Sequence, residues 1–154
     1  MPRLEVGAQA PSFSLLNHDG QRVSSASLKG QRYVVYFYPQ DDTPGCTVEA
    51  CGFNDELAAL SHLGVTVVGI SPDDAASHVA FRAKYGLAFD LLSDPTTTTM
   101  AAYGAYGEKM LYGKTVVGVI RSTFVVGPTG LIEHVWYGPR TKGHAARVRA
   151  ALES

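Results

Sequence analysis

Hydrophobic residues fall into two kinds of segment along this chain, short continuous runs and longer stretches with helical spacing. Two continuous runs rich in β-branched and aromatic residues, at positions 32–38 and 65–71, predict strands that are buried on both faces. Between them, residues 46–63 carry apolar side chains at helical spacing, which predicts a helix that ends at Gly64. The chain therefore begins its core with the order strand, helix, strand.

The rest of the pattern predicts three further helices, one short strand and two hairpins. The helices span residues 74–85, 94–103 and 143–152, the strand spans 89–92, and the hairpins pair 13–16 with 22–24 and 123–126 with 132–136. Buried strands that alternate with helices indicate an α/β fold, and the hairpins add antiparallel strands, so we expect a mixed central sheet flanked by helices. Because no linker-like tract or repeat divides the sequence, we predict a single domain over residues 1–154.

Composition and charge argue against two classes of protein, nucleic-acid binders and membrane-spanning proteins. Of the 154 residues, 45% are hydrophobic and 18% are charged, which is ordinary for a globular protein. The 13 lysines and arginines are scattered, so no surface for nucleic acid is expected. The apolar runs are much shorter than the roughly 20 residues that a membrane span needs. The opening residues lack the apolar stretch of a secretory signal, and a cytoplasmic location is expected.

The first cysteine, Cys46, stands where an α/β sheet usually carries its active site. It follows the strand at 32–38 and opens the next helix, and active sites in such sheets tend to lie beyond the carboxyl ends of strands. The unpaired N–H groups and the dipole of a helix N-terminus favour an anion such as a thiolate. Thr43 is placed to hydrogen-bond the sulfur or a ligand bound beside it, and Pro44 stiffens the turn and shields the sulfur. A lone cysteine is usually a small buried hydrophobe, but this turn and the second cysteine favour a chemically reactive role for Cys46.

The second cysteine, Cys51, lies five residues further on, within the same predicted helix. This spacing differs from Cys-x-x-Cys, and the five histidines show no ligand-like spacing, so we expect neither a metal nor another cofactor. Residues five apart in an α-helix have Cα atoms roughly 8.5 Å apart. A disulfide tolerates about 7 Å at most. Cys51 can therefore bond Cys46 only if the start of the helix unwinds, which indicates a redox switch.

The segment around both cysteines resembles the peroxiredoxin signature. Residues 36–56 read YFYPQDDTPGCTVEACGFNDE and contain Pro-x-x-x-Thr-x-x-Cys, and the second cysteine five residues later is similar to the bacterioferritin comigratory protein, or peroxiredoxin Q, class. Further blocks resemble the family in the same order, at residues 7–20, 67–94, 112–114 and 121–126. The resemblance implies a thioredoxin-like fold with an N-terminal β-hairpin extension.

The resemblance also implies roles for the residues that match the motif. Cys46 would be the peroxidatic cysteine, with its backbone N–H holding a peroxide oxygen, and Cys51 would be the resolving cysteine. The hydroxyl of Thr43 would hold the peroxide as well, while Pro39 and Pro44 would shape the pocket.

Two charged residues are less clear from the sequence. Arg121 taken alone is a solvated arginine at a strand end, but the context RSTF at 121–124 resembles the family arginine whose charge favours the thiolate. Glu49 would accept a hydrogen bond near the site by resemblance, yet a glutamate in this helix is expected on the surface.

The function predicted is that of a thiol peroxidase for hydrogen peroxide and organic hydroperoxides. Peroxide would oxidise Cys46 to a sulfenic acid, Cys51 would close the disulfide, and thioredoxin or a similar dithiol would reduce it. The alternatives are a thiol–disulfide oxidoreductase, which normally uses Cys-x-x-Cys, and a redox-sensing or holdase-like interaction protein. Catalytic turnover of peroxide separates these readings. We expect a monomer, or at most a weak dimer.

Overall fold

The computed structural model describes residues 3–153 and contains nine strands and five helices within them. The strands are β1 (Ser14–Asn17), β2 (Arg22–Ser24), β3 (Arg32–Phe37), β4 (Val65–Ser71), β5 (Asp90–Ser93), β6 (Tyr106–Leu111), β7 (Lys114–Val119), β8 (Ser122–Val126) and β9 (Ile132–Tyr137). The helices are α1 (Ser25–Leu28), α2 (Pro44–His62), α3 (Ala75–Tyr85), α4 (Thr98–Ala102) and α5 (His144–Glu153). Among these residues, no helix is both long and apolar enough to cross a bilayer.

Seven of the strands form one sheet in the order β2-β1-β5-β4-β3-β8-β9. Strand β4 is parallel to both β3 and β5, while β8 is antiparallel to β3. The hairpin β1–β2 extends the sheet beyond β5, to which β1 is antiparallel. The mixed sheet, its flanking helices and the N-terminal hairpin extension are confirmed.

The core has two layers because alternate residues of β3 point to opposite faces of the sheet. Tyr36 packs on one face among buried residues of α2, α3 and α5, including Phe53 and Phe81. Phe37 packs on the other face with Met100 of α4 and the side chains of the N-terminal region. Both strand residues are fully buried, as the continuous apolar run predicts.

Helix α2 begins two residues earlier than the hydrophobic pattern predicts. Thr43 is its N-cap residue and Pro44 its first helical residue, a position that tolerates proline because the N–H there needs no helical partner. The pattern placed the start at Cys46 because Pro44 and Gly45 contribute no apolar periodicity. The earlier start puts Cys46 inside the first turn of the helix.

The hairpin β6–β7 forms a second, two-stranded sheet that the hydrophobic pattern does not predict. Most of its side chains are exposed or only half-buried, so its sequence lacks the alternation that marks a strand with one buried face. Its two-residue turn contains Tyr112, at a positive φ of 51° and 97% exposed, followed by Gly113.

Candidate active site

Cys46 is buried in the first turn of α2, with 1% of its surface exposed. The carbonyl oxygen of Thr43 accepts the first helical hydrogen bond, from the N–H of Thr47 at 2.8 Å. The N–H groups before it have no partner within the helix and point towards the N-terminal end. Their partial positive charge favours an anionic sulfur.

Arg121 reaches the sulfur from the segment between β7 and β8, 75 residues along the chain. Its Nη2 group donates to Sγ of Cys46 at 3.3 Å, and its Nη1 group donates to Oε1 of Glu49 at 2.5 Å. Burial alone would lower the pKa of Arg121, but the Glu49 carboxyl and the Cys46 sulfur outweigh burial, and the pKa is raised. A fixed positive charge therefore stands beside the thiol.

Glu49 is completely buried, so the expectation of a surface glutamate is wrong. Burial raises its pKa to about 7, even though the attraction of Arg121 acts in the opposite direction. Oε1 accepts from Arg121, whereas Oε2 is buried without a hydrogen-bond partner among residues 3–153. The sequence does carry one signal for this position, because Glu49 lies three residues after Cys46 and so shares its helix face.

The loop before α2 holds Pro39 and Thr43, and Pro44 opens the helix. The hydroxyl of Thr43 donates to the carbonyl oxygen of Gln40 at 3.1 Å rather than capping the helix. Pro39 is half-buried, whereas Pro44 is exposed at the helix start. Pro39 and Arg121 line a cavity of about 700 Å³, and the hairpin β6–β7 supplies part of its wall.

Cys51 lies on α2, half-buried, and both cysteines are free thiols. It faces a depression of about 430 Å³ between α2 and α5, which is separate from the cavity at Pro39. Burial raises the pKa of the Cys51 thiol, and the neighbouring Asp55 carboxylate raises it further. The structure therefore shows the reduced arrangement, with α2 helical through both cysteines.

Residues 6–135 of the sequence match the AhpC/TSA family. The chain belongs to the AhpC/TSA family of peroxiredoxins. Putative peroxiredoxin Rv2521 of Mycobacterium tuberculosis is 51% identical over 150 residues, which cover 97% of this chain and 96% of that protein.

Solved structures place this peroxiredoxin in the bacterioferritin comigratory protein, or peroxiredoxin Q, group, as the resemblance implied. A peroxiredoxin Q mutant of Xylella fastidiosa superimposes with a TM-score of 0.92 at 32% identity, covering 99% of this chain and 98% of that one. The bacterioferritin comigratory protein of Xanthomonas campestris, studied for its alkyl peroxide reduction activity, gives a TM-score of 0.86 at 38% identity over 92% of this chain and 90% of that one. The thioredoxin-like fold and the peroxidase class are thereby confirmed.

His144 is a buried residue of this peroxiredoxin for which the sequence suggested no role. Its Nε2 atom lies 2.8 Å from Oγ1 of Thr123, and its ring meets Phe53 and Trp136 edge to face. Burial lowers its pKa to about 4, assisted by the charges of Arg147 and Arg121. The ring is therefore neutral at neutral pH and supports the packing of α5 behind the site.

Proposed function

We propose that Cys46 reduces hydroperoxides and that Cys51 resolves the oxidised cysteine. The Cys46 thiolate attacks the terminal peroxide oxygen, the O–O bond breaks, and the leaving alkoxide takes up a proton to become an alcohol, or water when the substrate is hydrogen peroxide. The Cys51 thiol then attacks the sulfenic sulfur, which forms the disulfide and releases water. The 3.3 Å contact of Arg121 Nη2 with Cys46 Sγ, within the first turn of α2, carries this proposal.

The peroxide step uses charges that are already in place before the substrate arrives. Arg121 and the N-terminus of α2 favour the thiolate, and both also favour the negative charge that develops on the leaving oxygen. The Thr43 hydroxyl keeps acceptor lone pairs while it donates to the carbonyl oxygen of Gln40, so it can accept a hydrogen bond from the O–H group of the hydroperoxide. The N–H of Cys46 donates to the peroxide, and Pro39 and Pro44 limit the width of the approach.

Glu49 orients the arginine in this scheme. By accepting from Nη1 it fixes the plane of the guanidinium, so that Nη2 points at the sulfur of Cys46. Arg121 packs directly against this turn, since a Cβ atom at Gly45 would lie in ordinary contact, 3.4 Å from Nη2.

The substrates proposed are hydrogen peroxide and organic hydroperoxides. The cavity beside Arg121 is about 700 Å³ and includes the apolar side chains of Met110, Val119 and Ile120, so it has space for an alkyl group. The alkyl peroxide reduction studied in the Xanthomonas campestris relative supports this choice. An external dithiol of the thioredoxin type then reduces the disulfide by thiol–disulfide exchange.

A coupled assay tests the proposal. The oxidation of NADPH is followed with thioredoxin, thioredoxin reductase and either hydrogen peroxide or an alkyl hydroperoxide, for the parent chain, Cys46→Ser and Cys51→Ser. Cys46→Ser should show no peroxide consumption, because serine offers no thiolate. Cys51→Ser should form one sulfenic acid per chain, detected by mass spectrometry, and should lose turnover with thioredoxin. Peroxide consumption retained by Cys46→Ser, or an equal loss of the first oxidation in both variants, would overturn the assignment.

A further inference from the structure

The loop between β3 and α2 is held in place by hydrogen bonds to the buried carboxylate of Asp41. Oδ1 accepts from the hydroxyl of Tyr38 at 2.6 Å, and Oδ2 accepts from the hydroxyl of Ser77 at 2.8 Å. Oδ2 also lies 2.6 Å from Nδ1 of His78. The backbone N–H of Asp41 donates to the carboxylate of Asp73 at 2.7 Å. The residue thus connects the loop to α3 and to the end of β4.

His78 is fully buried on α3, and both of its ring nitrogens face acceptors. Nδ1 faces the carboxylate of Asp41, and Nε2 lies 3.0 Å from the carbonyl oxygen of Leu92. A neutral imidazole offers one donor and one acceptor, whereas the imidazolium offers two donors. The carbonyl of Leu92 can only accept, and Asp41 already accepts from Tyr38 and Ser77. Opposite a carboxylate and a carbonyl oxygen, the ring that donates to both neighbours is the one that carries a proton on each nitrogen.

We infer that Asp41 and His78 form a buried ion pair that positions the peroxide-binding loop and stays assembled when α2 unwinds. This inference rests on the roles proposed above for Cys46 and Cys51. Asp41 lies five residues before Cys46 and two before Thr43, so the pair fixes where both residues stand relative to the sheet. Asp41 and His78 are positioning residues, since their contacts are with the loop and not with the sulfur.

The residues after Thr43 are held by a different partner from the one that holds the loop before it. Cys46 and Glu49 are held by Arg121, which enters from the β7–β8 segment and, within residues 3–153, forms no side-chain hydrogen bond to Asp41 or His78. The first turns of α2 can therefore leave Arg121 without disturbing Asp41. Thr43 marks the boundary between the part that stays and the part that moves.

Asp42 provides a matched control within the same loop. It pairs with Lys84 and accepts from the hydroxyl of Tyr85, both at 2.8 Å, but it is exposed. Exposed ion pairs contribute little because water and salt screen them. Asp42 also has a positive φ of 58°, a conformation that asparagine tolerates, so Asp42→Asn introduces no backbone strain.

The first experiment measures the protonation of His78 and does not depend on peroxidase activity. Nitrogen NMR of reduced, histidine-labelled protein at pH 7.5 should show both ring nitrogens of His78 carrying protons, with Asp42→Asn leaving the signal unchanged. In Asp41→Asn the amide can donate to a neutral ring, so one His78 nitrogen should lose its proton. A parent His78 with one unprotonated nitrogen overturns the ion pair.

The second experiment separates the peroxide step from the resolving step by rapid quench and mass spectrometry. Asp41→Ala should slow the oxidation of Cys46 on the order of tenfold or more, because small displacements of reacting groups are costly. Disulfide formation from the sulfenic acid should not be slowed, and Asp41→Asn should recover part of the peroxide rate. Asp42→Asn should stay within about twofold of the parent in both steps. Equal slowing of both steps in Asp41→Asn, or an unchanged peroxide rate in Asp41→Ala, contradicts a positioning role.

The boundary of the moving segment is tested by hydrogen exchange at one amide. The N–H of Asp41 is bonded to Asp73 in the reduced protein and should remain protected after the disulfide has formed. Loss of its protection on oxidation would show that the loop unfolds together with α2. If the parent chain does not consume peroxide, the proposed function fails, while the NMR result still decides whether the ion pair exists.

Discussion

Arg121 and Glu49 form an ion pair inside the protein, directly beside the sulfur of Cys46. Nη1 of Arg121 lies 2.5 Å from Oε1 of Glu49, and the other terminal nitrogen contacts the sulfur at 3.3 Å. One guanidinium thus bridges two side chains of the first turns of α2, which a lysine ammonium cannot do with the same geometry. We therefore expect the peroxide chemistry and the integrity of the helix start to depend on the same residue.

Arg121→Ala should slow the oxidation of Cys46 by peroxide on the order of a hundredfold, because a preorganised donor to the developing charge is lost. Arg121→Lys keeps the charge but cannot contact Glu49 and Cys46 with the same geometry, so its rate should fall between those of the parent and Arg121→Ala. Stopped-flow measurement of the second-order rate constant checks this.

The matched control is Arg149→Ala, which removes an arginine that pairs with Glu56 away from the sulfur. This variant should react at the parent rate. If Arg121→Ala also reacts at the parent rate, the charge beside Cys46 has no part in the chemistry.

Glu49→Gln should make the free energy of unfolding less sensitive to pH. The folded-state pKa of Glu49 is about 7, above its ordinary value of 4.5, so between these values the folded state holds a proton that the unfolded state has released. The free energy of unfolding therefore falls as the pH rises through this window, by roughly 3 kcal/mol at most. Glutamine has no such proton. The stability of the Glu49→Gln variant relative to the parent should therefore rise between pH 5 and pH 8, as measured by urea unfolding.

Asp55→Asn is the control for Glu49→Gln, since it removes an exposed carboxylate from the same helix. Its stability relative to the parent should stay nearly constant over the same pH range. A Glu49→Gln variant that tracks the parent at every pH would show that the carboxyl stays ionised when buried.

The sequence predicts the framework of this site better than its electrostatics. The continuous apolar runs of β3 and β4 identify strands because both faces are buried, and the sequence correctly places Cys46 in the first turn of a helix. Glu49 was expected on the surface because charged helical residues usually are. Its burial depends on Arg121, a partner 72 residues away that only the folded chain brings close.

The hairpin β6–β7 and the pair of Asp41 with His78 escape sequence analysis for two different reasons. The hairpin is mostly exposed and buries no regular face, so hydrophobic periodicity gives no signal. The pair joins residues 37 positions apart, and neither spacing nor residue type indicates that they meet. The patterns that predict structure best are those created by local burial.

Gly52→Ala should slow the formation of the disulfide. Glycine inside a helix costs about 1 kcal/mol relative to alanine, so the substitution stabilises the turn that must unwind. A Cβ at this position would lie 3.4 Å from Cβ of Ala145, an ordinary contact, so no clash is introduced. If the full stabilisation opposes unwinding, disulfide formation slows about fivefold. Single-turnover mass spectrometry measures this rate after one equivalent of peroxide.

Ala58→Gly is the opposite substitution on the exposed side of the same helix, beyond the segment that unwinds. It should lower the stability of the protein and leave the rate of disulfide formation unchanged. If Ala58→Gly speeds disulfide formation by about as much as Gly52→Ala slows it, the whole of α2 melts.

Oxidation should unwind α2 between its start and Phe53, and leave the rest of the helix folded. In the reduced protein α2 is helical from Pro44 to His62, and residues five apart in a helix have Cα atoms roughly 8.5 Å apart. A disulfide tolerates about 7 Å at most, so Cys51 cannot bond Cys46 while these turns are intact. Phe53 is fully buried and stacks on Tyr36 with ring centroids 4.7 Å apart, which holds the helix beyond this point. Hydrogen exchange should therefore show lost protection at the amides of residues 48–52 after oxidation and unchanged protection at residues 57–62. Equal protection of residues 48–52 in both states, with the disulfide confirmed by mass spectrometry, would mean that the bond forms without unwinding.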